Sequence, residues 1–249
     1  MKLSRPTTFR PLILLAAAMA SLPALAEDSP HSLSGNLGLY SDYAFRGVSQ
    51  TAGDPAIQGG FDYAHASGVY LGTWASNVSE AMYTETAIPG GGTGTSNMEW
   101  DIYGGYAGKI SDDLGYNVGL LEYYYPGATN FNTLEVYGGI TYKGFGLKAS
   151  YNLDDYFGVA DSDGTVYWDA SYNYELPAQV MLSLHYGVTA AQGSAVDYTD
   201  WKIGLGKEFG GFNFGLAYTD TDLTDAEQGR IKGEDVKKGR LIASVSKTF

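Results

Sequence analysis

The 249-residue chain has no cysteine, only 8 prolines, and few basic side chains, with 15 Lys and Arg against 28 Asp and Glu. Without cysteine, no disulfide can staple the fold. The formal net charge of -13 excludes nucleic-acid binding through charge. Beyond its N-terminal region, the chain has no run approaching the roughly 18 apolar residues that a transmembrane helix requires. Helical membrane proteins and nucleic-acid-binding proteins are therefore disfavoured classes.

The first 26 residues have the three parts of a secretory signal peptide. Basic residues precede an apolar segment that runs from Leu12 to Ala20, and Ala24-Leu25-Ala26 provides a small-x-small cleavage site. We predict that residues 1–26 are removed on export. Residues 27–249 are predicted to form one domain.

From residue 33 onward, apolar and polar residues alternate in segments of about ten residues. In one of the clearest segments, Met98, Trp100 and Ile102 alternate with Glu99 and Asp101. Side chains two residues apart share one face of a β-strand. Apolar residues spaced three and four apart, which would indicate a helix, do not occur in such segments. The pattern therefore predicts strands with one apolar and one polar face.

The alternation predicts an all-β fold, a transmembrane antiparallel up-and-down β-barrel of about 12 strands. Short and long connections alternate along the chain, as in outer-membrane barrels with short periplasmic turns and long outer loops. An even strand number returns both termini to the periplasm. The predicted strands are 33–46, 56–64, 69–77, 97–108, 114–125, 132–142, 145–153, 164–174, 180–189, 198–208, 212–219 and 236–249.

A soluble β-sandwich would show a similar alternation, because one face of its sheets is also buried. Two features favour the membrane barrel. The polar faces are rich in Gly, Ser, Asn and charged residues, and aromatic residues gather near strand ends. Aromatic girdles are expected at both membrane interfaces. The predicted girdle residues are Tyr123, Tyr124, Tyr125, Tyr156, Phe157, Phe209 and Phe212.

The strand parity assigns charged side chains to the barrel interior. In the first strand, it places Leu33, Leu37, Leu39, Tyr43 and Phe45 on the outward face. The seven acids and five bases predicted to line the pore favour cations weakly. These pore-lining residues are Asp42, Arg46, Asp62, Glu99, Asp101, Glu135, Lys148, Asp169, Asp200, Lys202, Lys238 and Arg240.

Asp42 and Arg46 lie four residues apart on the predicted first strand, with Asp62 as a cross-strand neighbour. They are interpreted either as a structural ion pair or as a constriction that selects ions. The structural interpretation is favoured because charges in a poorly hydrated lumen need partners.

Twelve strands should leave at most a narrow passage, since eight enclose a lumen just filled by side chains. Large lumen side chains or an infolded loop from Val78 to Ser96 would close it further. The side chains expected to narrow the lumen are Tyr103, Tyr137, Tyr167 and His185.

Three N-terminal runs carry a family resemblance. They are SGNLGLYSDYAFRGVSQ at residues 34–50, DPAIQGGFDY at 54–63 and GVYLGTWASNV at 68–78. Together they resemble the opening of the TorF-type porin family of proteobacterial outer-membrane β-barrels. The resemblance implies an outer-membrane barrel whose solute is poorly defined. It brings no catalytic residues.

The last strand adds a second resemblance. Leu241, Ala243, Val245 and Phe249 share one face, as in the terminal strand by which the outer-membrane assembly machinery recognises Gram-negative barrels. Lys247 departs from this pattern, although a cation at the rim can reach the head groups. The expected partners are this machinery, outer-membrane lipids and lipopolysaccharide. No nucleic acid is expected, and the oligomeric state stays open.

The predicted function is a porin-like channel of the outer membrane for passive diffusion of small hydrophilic solutes or ions. The alternative is a non-conducting barrel whose loops bind a partner or lipopolysaccharide. An outer-membrane enzyme is a third reading, because His185 shares a face with Ser183. Catalysis also needs a group that orients the base, and no third partner follows from the sequence. No catalytic residue, metal ligand or cofactor is predicted.

Overall fold

A computed structural model describes residues 29–87, 91–224 and 236–249. The predicted signal peptide lies outside these residues, as do the charged positions 225–235. Within the described ranges, no helix combines the length and apolarity needed to span a membrane.

Twelve antiparallel strands close into one barrel, which confirms the predicted fold. Each barrel strand pairs with the next one along the chain, and the last pairs with the first to close the ring. The barrel strands are β1 (His31–Tyr40), β4 (Ala56–His65), β5 (Val69–Asn77), β6 (Met98–Lys109), β7 (Leu114–Tyr124), β8 (Thr133–Tyr142), β9 (Phe145–Asn152), β10 (Val166–Leu176), β11 (Val180–Ala190), β12 (Tyr198–Phe209), β13 (Phe212–Thr221) and β14 (Arg240–Thr248).

Large apolar side chains stay exposed on the outer wall, as the alternation predicts. Leu33, Leu37 and Leu39 of β1 are each about half exposed. The same face continues through Ile102 of β6 and Ile203 of β12. A contiguous apolar band of this kind is expected where strands cross a membrane.

The first strand is shorter than predicted. β1 ends at Tyr40, and the chain then folds inward through a small hairpin of β2 (Ala44–Phe45) and β3 (Val48–Ser49). Arg46 and Gly47 have positive φ values of 47° and 80° at its tip. The period of two therefore stops at Tyr40. Tyr43 and Phe45, predicted to face outward, lie instead inside the barrel.

On the inner wall, tyrosine rings cover glycines of adjacent strands. The ring of Tyr103 on β6 lies against Gly72 on β5, and the ring of Tyr167 on β10 lies against Gly187 on β11. Only a residue without Cβ allows this close approach. Because the rings lie flat against the barrel wall, several large side chains fit into a narrow interior.

Gly72→Val is expected to destabilise the barrel by about 1–3 kcal/mol, the usual cost of overpacking. An added Cβ would lie 2.3 Å from Cε2 of Tyr103. Urea unfolding of the refolded protein, followed by tryptophan fluorescence, measures the loss. Gly206→Val is the matched control, since the nearest atom to its Cβ is 3.9 Å away. Equal losses in the two variants would contradict the packing argument.

Candidate functional site

The long loops fold inward and pack together at one end of the barrel. Tyr83 stacks on Tyr125 with ring centroids 4.3 Å apart, and Phe45 meets Phe157 edge to face at 5.7 Å. We call the buried apolar residues of this region the inner loop cluster. It comprises Tyr43, Val48, Ala56, Val78, Met82, Tyr83, Tyr123, Tyr125, Ala128, Phe131, Tyr156, Phe157 and Val236.

This cluster corrects part of the predicted aromatic girdle. Tyr125, Tyr156 and Phe157 are buried inside because the loops that carry them turn into the lumen, and Tyr123 is buried on the inward face of β7. Tyr124, by contrast, packs against the outward-facing Trp100 at 6.2 Å. At the short-turn end, Phe209 and Phe212 are exposed on the outer wall, as a girdle requires.

Two buried ion pairs attach the first long loop, residues 41–55, to the barrel wall. Nη2 of Arg46 donates to Oε1 of Glu135 on β8 at 2.6 Å. Nη1 of Arg240 on β14 donates to Oδ2 of Asp42 at 2.8 Å. The Arg46 guanidinium also lies over the Tyr167 ring, 4.2 Å from its centroid. The loop is thus held at two points on different parts of the wall.

The sequence predicted a different arrangement of these charges. Asp42 and Arg46 do not pair with each other, because the strand ends before them and a turn separates their side chains. Asp42 accepts hydrogen bonds from Ser49 and Thr51 within the loop, at 2.6 and 2.8 Å. Burial lowers the pKa of Arg46, but the combined attraction of Glu135 and the hydroxyls of Tyr156, Tyr123 and Tyr198 outweighs it, so the net pKa is raised well above its usual value. The guanidinium therefore remains charged.

One carboxylate joins the long loop that follows β5 to the loop that follows β7. Glu85, which is buried, accepts the backbone N–H groups of Gly94 and Asn130, both at 3.0 Å. Charge-assisted bonds to backbone N–H groups are stronger than neutral ones. The two loops are thus held together at this end of the barrel.

Four carboxylates lie together on the inner side of β4, β6 and β8. We call Asp62, Glu99, Asp101 and Glu135 the acidic wall. Glu99 accepts hydrogen bonds from the hydroxyls of Tyr43 and Tyr125, each at 2.7 Å. Asp62 accepts one from Tyr103 at 2.5 Å. In the described part of the chain, these carboxylates accept hydrogen bonds from phenol hydroxyls and, at Glu135, from Arg46, so the negative charge of the wall is only partly offset.

The inner side of β9 to β12 carries side chains of both positive and negative charge. Nε2 of His185 lies 2.8 Å from Oδ1 of Asp200, and Nδ1 lies 3.4 Å from Oδ1 of Asp169. Lys148 is placed over the ring of Tyr137, 5.6 Å from its centroid. We call Lys148, Asp169, His185, Asp200 and Lys202 the mixed wall. Its charges are close to balanced, in contrast to the acidic wall.

Most of the predicted pore-lining residues are at inward positions. Lys238 is the exception, since it lies exposed in the turn before β14, a strand that begins at Arg240 and not at residue 236. The half-buried members are Lys148, Asp169, Lys202 and Arg240, and the buried members are Asp42, Arg46, Asp62, Glu99, Asp101, Glu135 and Asp200. Their role in lining a pore stays a prediction.

Residues 24–249 match the family described as "Bacterial protein of unknown function (Gcw_chp)". The chain belongs to the Gcw_chp family. No curated protein matches the chain.

Two solved structures share the fold of this Gcw_chp chain. A structure titled "KdgM porin" has a TM-score of 0.53 and 8% identity, covering 87% of this chain and 99% of its own. A NanC porin structure has a TM-score of 0.52 and 13% identity, covering 87% and 98%. At such identities the likeness shows a common barrel architecture.

Sequence reasoning missed the partners of the lumen charges in this Gcw_chp chain. Arg46 and Glu135 are 89 residues apart, and Asp42 and Arg240 are 198 apart. His185 meets Asp169 and Asp200 because β11 lies between β10 and β12. Alternation gave the face of each strand residue, and cross-strand register would have been needed to find the pairs.

Proposed function

We propose that this Gcw_chp chain is an outer-membrane channel of the TorF type, exported across the periplasm, for passive diffusion of small hydrophilic solutes or ions. The observation that carries the proposal is a closed twelve-stranded barrel, apolar outside and charged inside. The shared fold of two porins supports it. The apolar outer band fits the hydrocarbon layer, and the charged interior fits water.

In this proposal, residues 41–55 narrow the passage and the acidic wall sets its preference. The ion pairs of Arg46 and Asp42 hold the loop across the lumen. Asp62, Glu99 and Asp101 then leave an excess of negative charge along one side, and acidic side chains around a pore favour cations. The expected preference is weak, because the mixed wall is close to balanced and Glu135 of the acidic wall is already paired with Arg46.

A second candidate is a non-conducting barrel whose loops bind a partner or lipopolysaccharide. The packed inner loop cluster favours it, since a fully closed loop end would stop flow. In that case the outer loops would be the working surface and the ion pairs would serve stability alone.

An enzyme is the less favoured reading. Both ring nitrogens of His185 face carboxylates, at 2.8 and 3.4 Å. A general base for Ser183 would need one nitrogen directed at that hydroxyl. The histidine is therefore better suited to an ionic network than to activating a nucleophile.

The expected partners follow from the barrel surface. Lipids and lipopolysaccharide would cover the apolar band, and the outer-membrane assembly machinery would recognise the strand that ends in Phe249. Lys247, the departure from that pattern, lies over the ring of Phe212, 5.1 Å from the centroid. Its ammonium is thus placed near the aromatic rim, where it can reach head groups.

Reversal potentials in a planar bilayer test the proposed preference. Under a KCl gradient, the wild type is expected to show the sign of a weakly cation-selective channel. Asp62→Asn combined with Glu99→Gln should move the potential toward zero, because two of the four acidic-wall charges are removed. Glu208→Gln, at an exposed position near the short-turn end, should leave it unchanged. Anion selectivity in the wild type would refute the proposed preference.

A further inference from the structure

Asp101 differs from the other members of the acidic wall. Glu135 is paired with Arg46. Glu99 accepts hydrogen bonds from two tyrosine hydroxyls, and Asp62 accepts one. The Asp101 side chain is 8% exposed, and its Oδ1 is buried without a hydrogen-bond partner among the described residues. A buried carboxylate in this state is costly unless it takes up a proton or a counter-charge reaches it.

The nearest acids increase that cost. Glu99, two residues away on β6, and Glu135 on β8 both repel a negative charge at Asp101. Arg46, which pairs with Glu135 of this wall, donates its hydrogen bond there at 2.6 Å. The site thus attracts a positive charge from outside the protein.

Aromatic side chains flank Asp101 on both neighbouring strands. The register pairs Asp101 with Trp74 of β5 and with Tyr123 of β7. Residues paired directly across antiparallel strands share a face, with Cβ atoms about 4.5–5.5 Å apart. Tyr43 of the first loop packs edge-on against Trp74 at 5.5 Å. The carboxylate therefore lies between an indole and a phenol on the inner wall.

We propose that Asp101, Trp74 and Tyr123 form a binding site for an organic ammonium ion inside the barrel. The carboxylate supplies the counter-charge, and the ring faces attract the cation through their quadrupoles. Metal ions fit the site less well, because no group of three or more His, Asp or Glu in the described part of the chain is arranged to hold one. The inference rests on the proposed function by naming a solute class for that channel.

Binding can be measured without conduction, which separates the two proposals. The full mature chain, refolded in detergent, is titrated with tetramethylammonium chloride and followed by saturation-transfer NMR. Saturable binding is expected, with sodium competing weakly since a small hydrated ion gains less from the rings. Asp101→Asn should weaken binding about tenfold or more, as a charged partner is lost. Trp74→Leu should weaken it about fivefold.

Glu208→Gln serves as the matched control, because it removes an exposed carboxylate away from the site. Far-UV circular dichroism and heat-dependent gel mobility check the fold of each variant. If Asp101→Asn does not fold, the site is tested by the affinity of Trp74→Leu and by the comparison of tetramethylammonium with sodium in the wild type. Unchanged affinity in a folded Asp101→Asn variant, or tetramethylammonium binding no tighter than sodium, overturns the site.

The outcomes also distinguish this inference from the channel proposal. Saturable binding that depends on Asp101, in a protein that gives no current in bilayers, supports the site and refutes the channel. Current through the wild type, with ammonium binding unaffected by Asp101→Asn, supports the channel and refutes the site.

Discussion

Arg46→Leu is expected to release residues 41–55 from the wall and to raise the single-channel conductance severalfold. Arg46 holds the loop through its 2.6 Å bond to Glu135 and its position over Tyr167. The variant also leaves Glu135 buried without its cation, which should cost about 3–5 kcal/mol of unfolding free energy. Bilayer recordings and urea unfolding of the same preparation measure the two effects.

Two further variants separate conductance from stability. In Arg46→Leu combined with Glu135→Leu, no unpaired charge remains, so much of the stability should return while the conductance stays high. Lys143→Leu is the matched control for removing a cation. Its 3.3 Å pair with Asp113 joins two short turns, is exposed and should contribute little to stability. Wild-type conductance in Arg46→Leu would show that the loop does not restrict the passage.

Ile203→Arg is expected to impair folding into lipid vesicles strongly. Ile203 is exposed on the outer wall near the middle of β12, where the proposal places the hydrocarbon layer. Arginine at the bilayer midplane of such barrels costs about 2–4 kcal/mol. Refolding yield and urea unfolding in phosphatidylcholine vesicles report this loss.

Phe209→Arg is the control on the same strand. Phe209 is exposed at the short-turn end, and the cost of arginine near the interface falls to about 0–1 kcal/mol. A large difference between the two positions supports a barrel that crosses the bilayer. Equal and small effects would instead favour the soluble barrel, in which both side chains meet water.

The barrel could be predicted because the sequence features that specify it lie within single strands and short turns. Outward positions such as Leu37 and Leu39 on β1 repeat with a period of two, and a slip of one residue would exchange the two faces. Short turns are local as well. Lys143 and Gly144 both have positive φ values, 47° and 88°, as two-residue hairpin turns require.

The interior of the loop end could not be predicted in the same way. Tyr43 and Phe45 continue the alternation of β1 in sequence, yet the chain leaves the barrel wall after Tyr40 and carries them inside. Their placement depends on partners far along the chain, such as Glu135 and Arg240. Strand parity contains no information on such pairs, because it assigns a face and not a neighbour.

The same limit explains His185. Its inward face followed from β11 alone, but its two carboxylate partners lie on β10 and β12. Asp101 is the converse case, since its inward face was predicted and its lack of a hydrogen-bond partner at Oδ1 required the structure. The sequence predicted which charged residues face inward. Knowing which of them are neighbours also requires the cross-strand register.

Single-channel recording of the purified mature chain in a planar bilayer tests the central claim most directly. The account predicts discrete conductance steps, small because the loop held by Arg46 and Asp42 narrows a twelve-stranded lumen. A correctly folded, membrane-inserted barrel that gives no steps over the accessible voltage range would contradict the channel and leave the loop-binding barrel as the better account.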